Sequence, residues 1–329
     1  MSILERRQAL DRLQQSRTGP AFIAAVIKKF GDDRAGNLAA LIAYYAFVSL
    51  FPLLLVFVTI LGYTLDGDPR LKQEILEGTL GKFPLLSDQL KLHSLSGNGL
   101  ALAFGIVLTL LAGLGVTGAS QTAFNRIWAV PFSKQPNFLT SRLRGIALLL
   151  TLGALTIVST LAGGFVGASE SGSAGAWALI AGVIVALIAN FVLFASAFKL
   201  LTAIALSWRD VLPGAVLASA LWTLLQYFGG LYVSHELKNN GPLYGSFAFV
   251  LGLLAWLYLG AQLTMLSAEV NAVLARKLWP RSLFAPGLLD ADRRAMRAAV
   301  RAQNRNVGER IEVHFEEPKE EDVEDVEAP

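Results

Sequence analysis

The sequence predicts an all-α, polytopic membrane protein, and three observations predict it: six apolar stretches of spanning length, a lopsided spread of basic residues between them, and a composition poor in charge. The stretches run Leu38–Gly62, Leu100–Ala119, Gly145–Ala168, Trp177–Leu201, Val211–Tyr232 and Tyr244–Leu266. Each is near the ~20 residues a helix needs to cross ~30 Å of hydrocarbon. Lipid offers no water to backbone groups, so such spans must hydrogen-bond within themselves, and none alternates like a barrel strand. Of the 28 Lys and Arg, 23 lie before the first span, after the last, or in the second and fourth connections, and five lie in the other three. That bias places both termini in the cytoplasm. Charged residues make up 16% of the chain, well below the roughly 25% of soluble domains. Three spans in each direction permit a 3+3 inverted arrangement, although no internal sequence repeat accompanies it.

Residues 1–37 are expected to form a cytoplasmic leader. Its charged start contains no short apolar region with a small-residue cleavage site, so the first span is expected to be retained as an anchor. Pro20 opens a stretch with Phe22, Ile23, Val26, Ile27 and Phe30 at helical spacing. This suits an interfacial amphipathic helix whose Lys28 and Lys29 meet anionic headgroups; a helix packed on the ends of the bundle is the alternative.

The bundle itself is expected to occupy residues 38–275. Small residues recur every fourth position, as in Ala178, Gly182 and Ala186 leading to Asn190, in Gly214 and Ala218 leading through Trp222 to Gln226 and Gly230, and in Gly252, Trp256, Gly260 and Thr264. Helices in lipid associate through such close approaches, and Asn190 and Gln226 extend these seams as hydrogen-bonding residues. Between the first two spans, Leu71, Ile75, Leu76 and Leu80 predict an amphipathic helix in a long outer connection.

The tail, 276–329, is expected to carry a basic helix over Leu288–Asn306, capped by Asp290, and a disordered acidic end over Glu316–Glu327; between them Ile311–Phe315 alternates enough for a short strand but has no obvious partner to pair with. Its basic face is a second expected contact with anionic lipid.

Seven residues stand out as candidate pathway or functional groups. Tyr44, Tyr45, Ser49 and Pro52 combine phenols, a hydroxyl and a proline within the first span, where Pro52 cannot donate to the Val48 carbonyl. Asn190 and Gln226 are polar within spans. Glu269 is the acidic residue beside the inner half of a span, where a carboxylate at the bilayer centre costs about 2.5–3.5 kcal/mol, so it needs a partner. Arg126 is the first candidate for a structural ion pair with Glu269, with Lys199 and Arg276 as alternatives.

Several runs resemble the YihY/BrkB family of bacterial inner-membrane proteins, formerly described as ribonuclease BN. The resemblance covers about residues 20–278. It is carried by Ala43-Tyr44-Tyr45-Ala46-Phe47-Val48-Ser49-Leu50-Phe51-Pro52-Leu53-Leu54, Asn125-Arg126-Ile127-Trp128, Val211-Leu212-Pro213-Gly214-Ala215 and Tyr244-Gly245-Ser246. The last carriers are Trp256-Leu257-Tyr258-Leu259-Gly260 and Ala268-Glu269-Val270-Asn271. It implies a six-helix protein of the bacterial cytoplasmic membrane and supplies no biochemical activity.

Function divides three ways. Transport or lipid and amphiphile handling draws on the polar residues just named; a membrane scaffold recruiting envelope proteins draws on the two cytoplasmic ends. A ribonuclease is not supported. His93 and His235 fall on the outer side and His314 in the tail, and no His/Asp cluster has metal-ligand spacing. No catalytic residue, metal, cofactor or nucleic-acid partner is expected, and zero cysteines exclude thiolate chemistry. No Gly-rich run carries the Lys-Ser/Thr of a phosphate loop.

Overall fold

A computed structural model describes residues 11–12, 14–64, 99–167, 174–239, 242–283, 288–306 and 308–315. The expected outer amphipathic helix, His93 and the acidic run lie outside the described residues, as do the side chains of His235 and of Tyr244–Ser246. The described chain is helical without strands: α1 (Thr18–Asp32), α2 (Ala35–Thr64), α3 (Gly99–Ile127), α4 (Phe138–Gly167), α5 (Ala174–Leu201), α6 (Trp208–Asn239), α7 (Pro242–Arg276) and α8 (Asp290–Arg301). A 3-10 turn, Phe132–Lys134, links α3 to α4.

Five of these, α2, α3, α4, α5 and α7, are long and apolar enough to cross a membrane. Helix α6, home of the expected fifth span, runs 32 residues but does not join them among the described residues; it opens with Arg209 and Asp210 and carries Ser219, Thr223 and Gln226. The chain is a multi-pass inner-membrane protein.

Successive long helices pack as neighbours, and α7 closes on α2, so α2 to α7 form a ring. Contacts of α3 with α5 and α7 run across it. Glycines set the closest approaches. A Cβ on Gly115 would meet Tyr45 at 2.7 Å, one on Gly145 would meet Thr117 Oγ1 at 2.5 Å, and one on Gly260 would meet Trp222 at 2.5 Å. A Cβ on Gly214 would collide with the Ser267 carbonyl and with Asn271. The polar ends of the seams expected on the fourth and fifth spans are only half realised. Asn190 Nδ2 donates to Thr223 Oγ1 at 3.3 Å, joining α5 to α6, but a Cβ on Gly182 would meet nothing, and Gln226 is exposed.

The buried core gathers at one end of the ring, where Ala35 and Ala39 meet Phe124 and Ile127, Phe198 and Leu201, Val211 and Ala215, and Met265 and Ala272. We call this the closed end. Beyond Ala43, Ala119, Phe194, Leu225 and Ala261, every described residue in the spanning helices is half-buried or exposed apart from Gly105, Thr117, Gly145 and Gly260.

Two further expectations concern the tail. Residues Ile311–Phe315 form no strand; a lone strand has no ladder to complete its backbone bonds. In α8 the N-cap is Leu289, and the carboxylate that reaches back to its N–H, at 3.3 Å, belongs to Asp292 rather than Asp290. The reach from the third helical position satisfies an orphan donor that Asp290, in the first turn, leaves unmet.

Candidate functional site

The closed end is held by a layer of buried charge. Helix α1 buries Ala21, Ala25, Val26 and Lys29 against Val273 and Leu278, with Phe22 edge-on to Trp279 at 5.6 Å between centroids. Ala21, Ala25 and Lys29 share one stripe because helical neighbours lie four residues apart, so the packing that buries the alanines carries an ammonium inward with them. That ammonium faces three oxygens. Lys29 Nζ lies 2.5 Å from Asp33 Oδ2 and 3.0 Å from Glu269 Oε2, and it donates to the Ile127 carbonyl at 2.8 Å.

Glu269 is fully buried on α7. Its approach to Lys29 is an ion pair without hydrogen-bond alignment, and neither carboxylate oxygen has a hydrogen bond. The expected pairing with Arg126 is therefore replaced: Lys29 takes Glu269, while Arg126 Nε stands 3.9 Å from Asp33 and reaches the layer through that residue. Arg126 is the more exposed of the two cations, and a buried carboxylate gains most from the cation that is desolvated with it. Of the alternatives, Lys199 donates to the Leu206 carbonyl and Arg276 to the Trp128 carbonyl.

Lys29 and Arg276 thereby cap the same helix terminus. The last-turn carbonyls of α3 are its unpaired acceptors and the negative end of its dipole, a favourable place for cations. That terminus closes as a Schellman turn: Val130 N–H donates to Asn125 at 2.8 Å and Ala129 N–H to Arg126 at 2.9 Å, with Ala129 at φ 42°. Helix α7 ends alike, Leu278 N–H donating to Val273 and Lys277 N–H to Leu274, with Lys277 at φ 52°. Arg34, after α1, has φ 53°. Three helices thus end beside the layer on left-handed residues that are not glycine, a conformation costing about 1–2 kcal/mol each.

A second hub adjoins the first. Asp292 is buried and accepts from Arg281 Nε at 2.8 Å, Lys28 Nζ at 3.0 Å and Ser282 N–H at 2.9 Å. Burial pushes its carboxyl up, but the bonds from Ser282, Arg281 and Lys28 outweigh burial and hold it below the usual aspartate range. Arg281 also reaches Asp32 at 2.8 Å, and Asp11 accepts from Ser282 Oγ at 2.9 Å. Within the chain, Lys28, partly exposed, thus meets Asp292, and Lys29, buried, meets Asp33 and Glu269.

The remaining candidates do not converge on this layer. Tyr44 is 58% exposed and stands edge-on to Tyr45 at 5.5 Å, Tyr45 packs on Gly115, and Ser49 Oγ donates within its own helix to the Ala46 carbonyl at 2.7 Å. Pro52 sits inside α2. These four, with Asn190 and Gln226, belong to the loosely packed half, and Glu269 alone belongs to the closed end.

Runs far apart in sequence do meet. Asn271 Oδ1 accepts from Gly214 N–H at 2.6 Å, and Asn125 Oδ1 accepts from Ala203 N–H at 2.8 Å. The Asn125–Trp128, Val211–Ala215 and Ala268–Asn271 runs are one structural unit. Lys29, Asp33, Arg281 and Asp292 were not among the site residues expected. The signal for Lys29 is a cation on an otherwise apolar stripe; Asp292 offers none beyond its place in a first helical turn.

A model of the family described as "Virulence factor BrkB" matches residues 26–286. The ribonuclease-like protein YfkH of Bacillus subtilis (strain 168) is 26% identical over 274 residues, 78% of this chain and 96% of that protein. The UPF0761 membrane protein Smlt0865 of Stenotrophomonas maltophilia (strain K279a) is 27% identical over 265 residues, 75% of this chain; the match spans only 59% of that protein's length. The inner membrane protein YhjD of Escherichia coli (strain K12) is 25% identical over 286 residues, 79% of this chain and 83% of that protein. No solved structure matches.

Proposed function

From the premise that this chain belongs to the BrkB family, we propose that it handles a lipidic or amphiphilic substrate across or within the cytoplasmic membrane. In this reading α6 is a sixth span, both termini are cytoplasmic, and the closed end is the cytoplasmic end of a 3+3 ring. The observation that carries the proposal is the uneven packing of the ring. Protein interiors normally pack to crystal-like density, yet burial here stops near Ala43, Phe194 and Leu225, one turn short of Asn190 and beside Gln226. An amphiphile moving along helix seams needs such a half, sealed from the cytoplasm by a layer that does not leak.

Mid-span charge would suit steep ion coupling, and Glu269 sits at the closed end instead, spoken for by Lys29. The same layer supports a non-enzymatic reading, because its charged groups are consumed in joining helices. The name of the Bacillus relative raises nuclease chemistry; metal-dependent cleavage of RNA by the pure protein would establish that reading and defeat ours.

The test is a reconstituted assay of transbilayer movement of a fluorescent phospholipid or fatty amphiphile, with native mass spectra of wild type and Glu269→Gln. Faster movement than in empty vesicles, with a retained amphiphile lost in the variant, is expected. No movement, no ligand in either protein and copurifying envelope proteins would instead support a scaffold, the second reading, which rests on the docked tail helix.

A further inference from the structure

We infer that a cleft between α8 and the α3–α4 connection is a binding site for a phosphate-bearing anion. The cleft has a volume of about 430 Å³ and is lined by Ala129, Pro131, Arg276, Arg294, Arg297, Ala298 and Arg301. Four of its seven lining residues are arginines. They come from two elements by separate local rules. Arg294, Arg297 and Arg301 fall three and four residues apart on one face of α8, whose other side is fixed by buried Ala291 and Asp292. Arg276 enters from the end of α7, tethered to the Trp128 carbonyl. The connection is held in place by Phe132 N–H donating to Ala302 at 3.2 Å and Ser133 N–H to Asn304 at 3.0 Å.

None of the four guanidiniums stands within ion-pair distance of a described carboxylate. This contrasts with Arg281, Lys28 and Lys29 a short way off, each of which is paired. Arg276 feels the charge of Asp33 from beyond ion-pair distance; on α8, Arg294 donates to the Lys277 carbonyl at 2.8 Å, and Arg297 lies 5.3 Å from the centroid of the Phe315 ring. A guanidinium has five donors, so one carbonyl leaves the forked edge available. Gathering four such cations is costly unless an anion joins them, and planar forks match phosphate oxygens in pairs.

The cleft lies beside the ends of α3 and α7, where spanning helices leave the hydrocarbon, and basic pockets at that level suit lipid headgroups. Phe132 on the connection is an exposed apolar side chain, and α8 exposes Met296 and Val300 on another face, so apolar surface for acyl chains is available on the same two elements. A headgroup phosphate is thus the source the surroundings favour. The site stands outside the ring and does not depend on translocation, so it survives the failure of the transport reading, and the reverse.

The test uses the full chain in detergent, with two probes: a fluorescent phosphatidylglycerol analogue, compared with its phosphatidylcholine counterpart, and inorganic phosphate by calorimetry. The triple variant Arg294→Gln/Arg297→Gln/Arg301→Gln should bind the phosphatidylglycerol probe at least tenfold more weakly, with Arg209→Gln and Arg305→Gln at wild-type affinity and the triple lysine variant partly restored. Arg297→Gln alone should weaken binding about threefold, which covers failure of the triple variant to fold. Loss of inorganic phosphate binding alone, in the same variants, would keep the anion site and assign it a soluble ligand. Undiminished binding of both probes by folded variants would overturn the inference.

Discussion

Lys29 and Glu269 are both buried, the carboxylate fully, and the two halves of the pair are not equivalent. Removing the cation by Lys29→Met leaves the Glu269 and Asp33 carboxylates facing each other, so thermal unfolding in detergent should show a loss of about 3–5 kcal/mol. Glu269→Gln should cost less, because Lys29 keeps Asp33 and the Ile127 carbonyl. The double variant Lys29→Met/Glu269→Leu should recover most of the loss; a double variant as unstable as Lys29→Met would show that the ion pair is not what holds α1. That Glu269 needs a partner is legible in the sequence. Which cation serves is not, because a charge-counting rule treats adjacent lysines alike, whereas only Lys29 shares the stripe of Ala21 and Ala25.

Among the elements, α8 depends on Asp292 and the α6–α7 pair on Gly214. The carboxyl of Asp292 is depressed in the folded chain, so its contribution is fully present above the unfolded value of about 3.9 and is lost as pH falls through the lower folded value. Hydrogen exchange should therefore show α8 loosening below about pH 4, and Asp292→Asn should show it loose at neutral pH. Gly214→Ala drives a methyl into the Ser267 carbonyl and Asn271 and should cost about 1–3 kcal/mol, whereas Gly182→Ala, with no neighbour to meet, should be neutral or stabilising. Equal effects in the two glycine variants, read by unfolding temperature, would contradict the packing. Helix positions and the small-residue spacing are legible in the sequence. The realised contact is not, since periodicity shows which residues share a face without showing which face is inward, and so Gly182 and Gln226 looked like seam residues.

For the whole molecule, hydropathy makes the membrane class and five of the six expected spans legible, and the alternating basic residues predict an orientation. The uneven core is invisible to either signal, because lipid-facing and cavity-facing residues are drawn from one apolar alphabet. The absence of cysteine makes the central claim directly measurable: single cysteines at Tyr45, Asn190 and Gln226 in the loose half, and at Ala123 and Ala268 in the closed end, are tested in intact cells with a membrane-impermeant maleimide. A half-open ring sealed at its cytoplasmic end predicts modification of the first three, slowed by bound amphiphile, and none of the last two. Protection of all five, with and without amphiphile, would contradict it and leave a closed bundle with no path for a substrate.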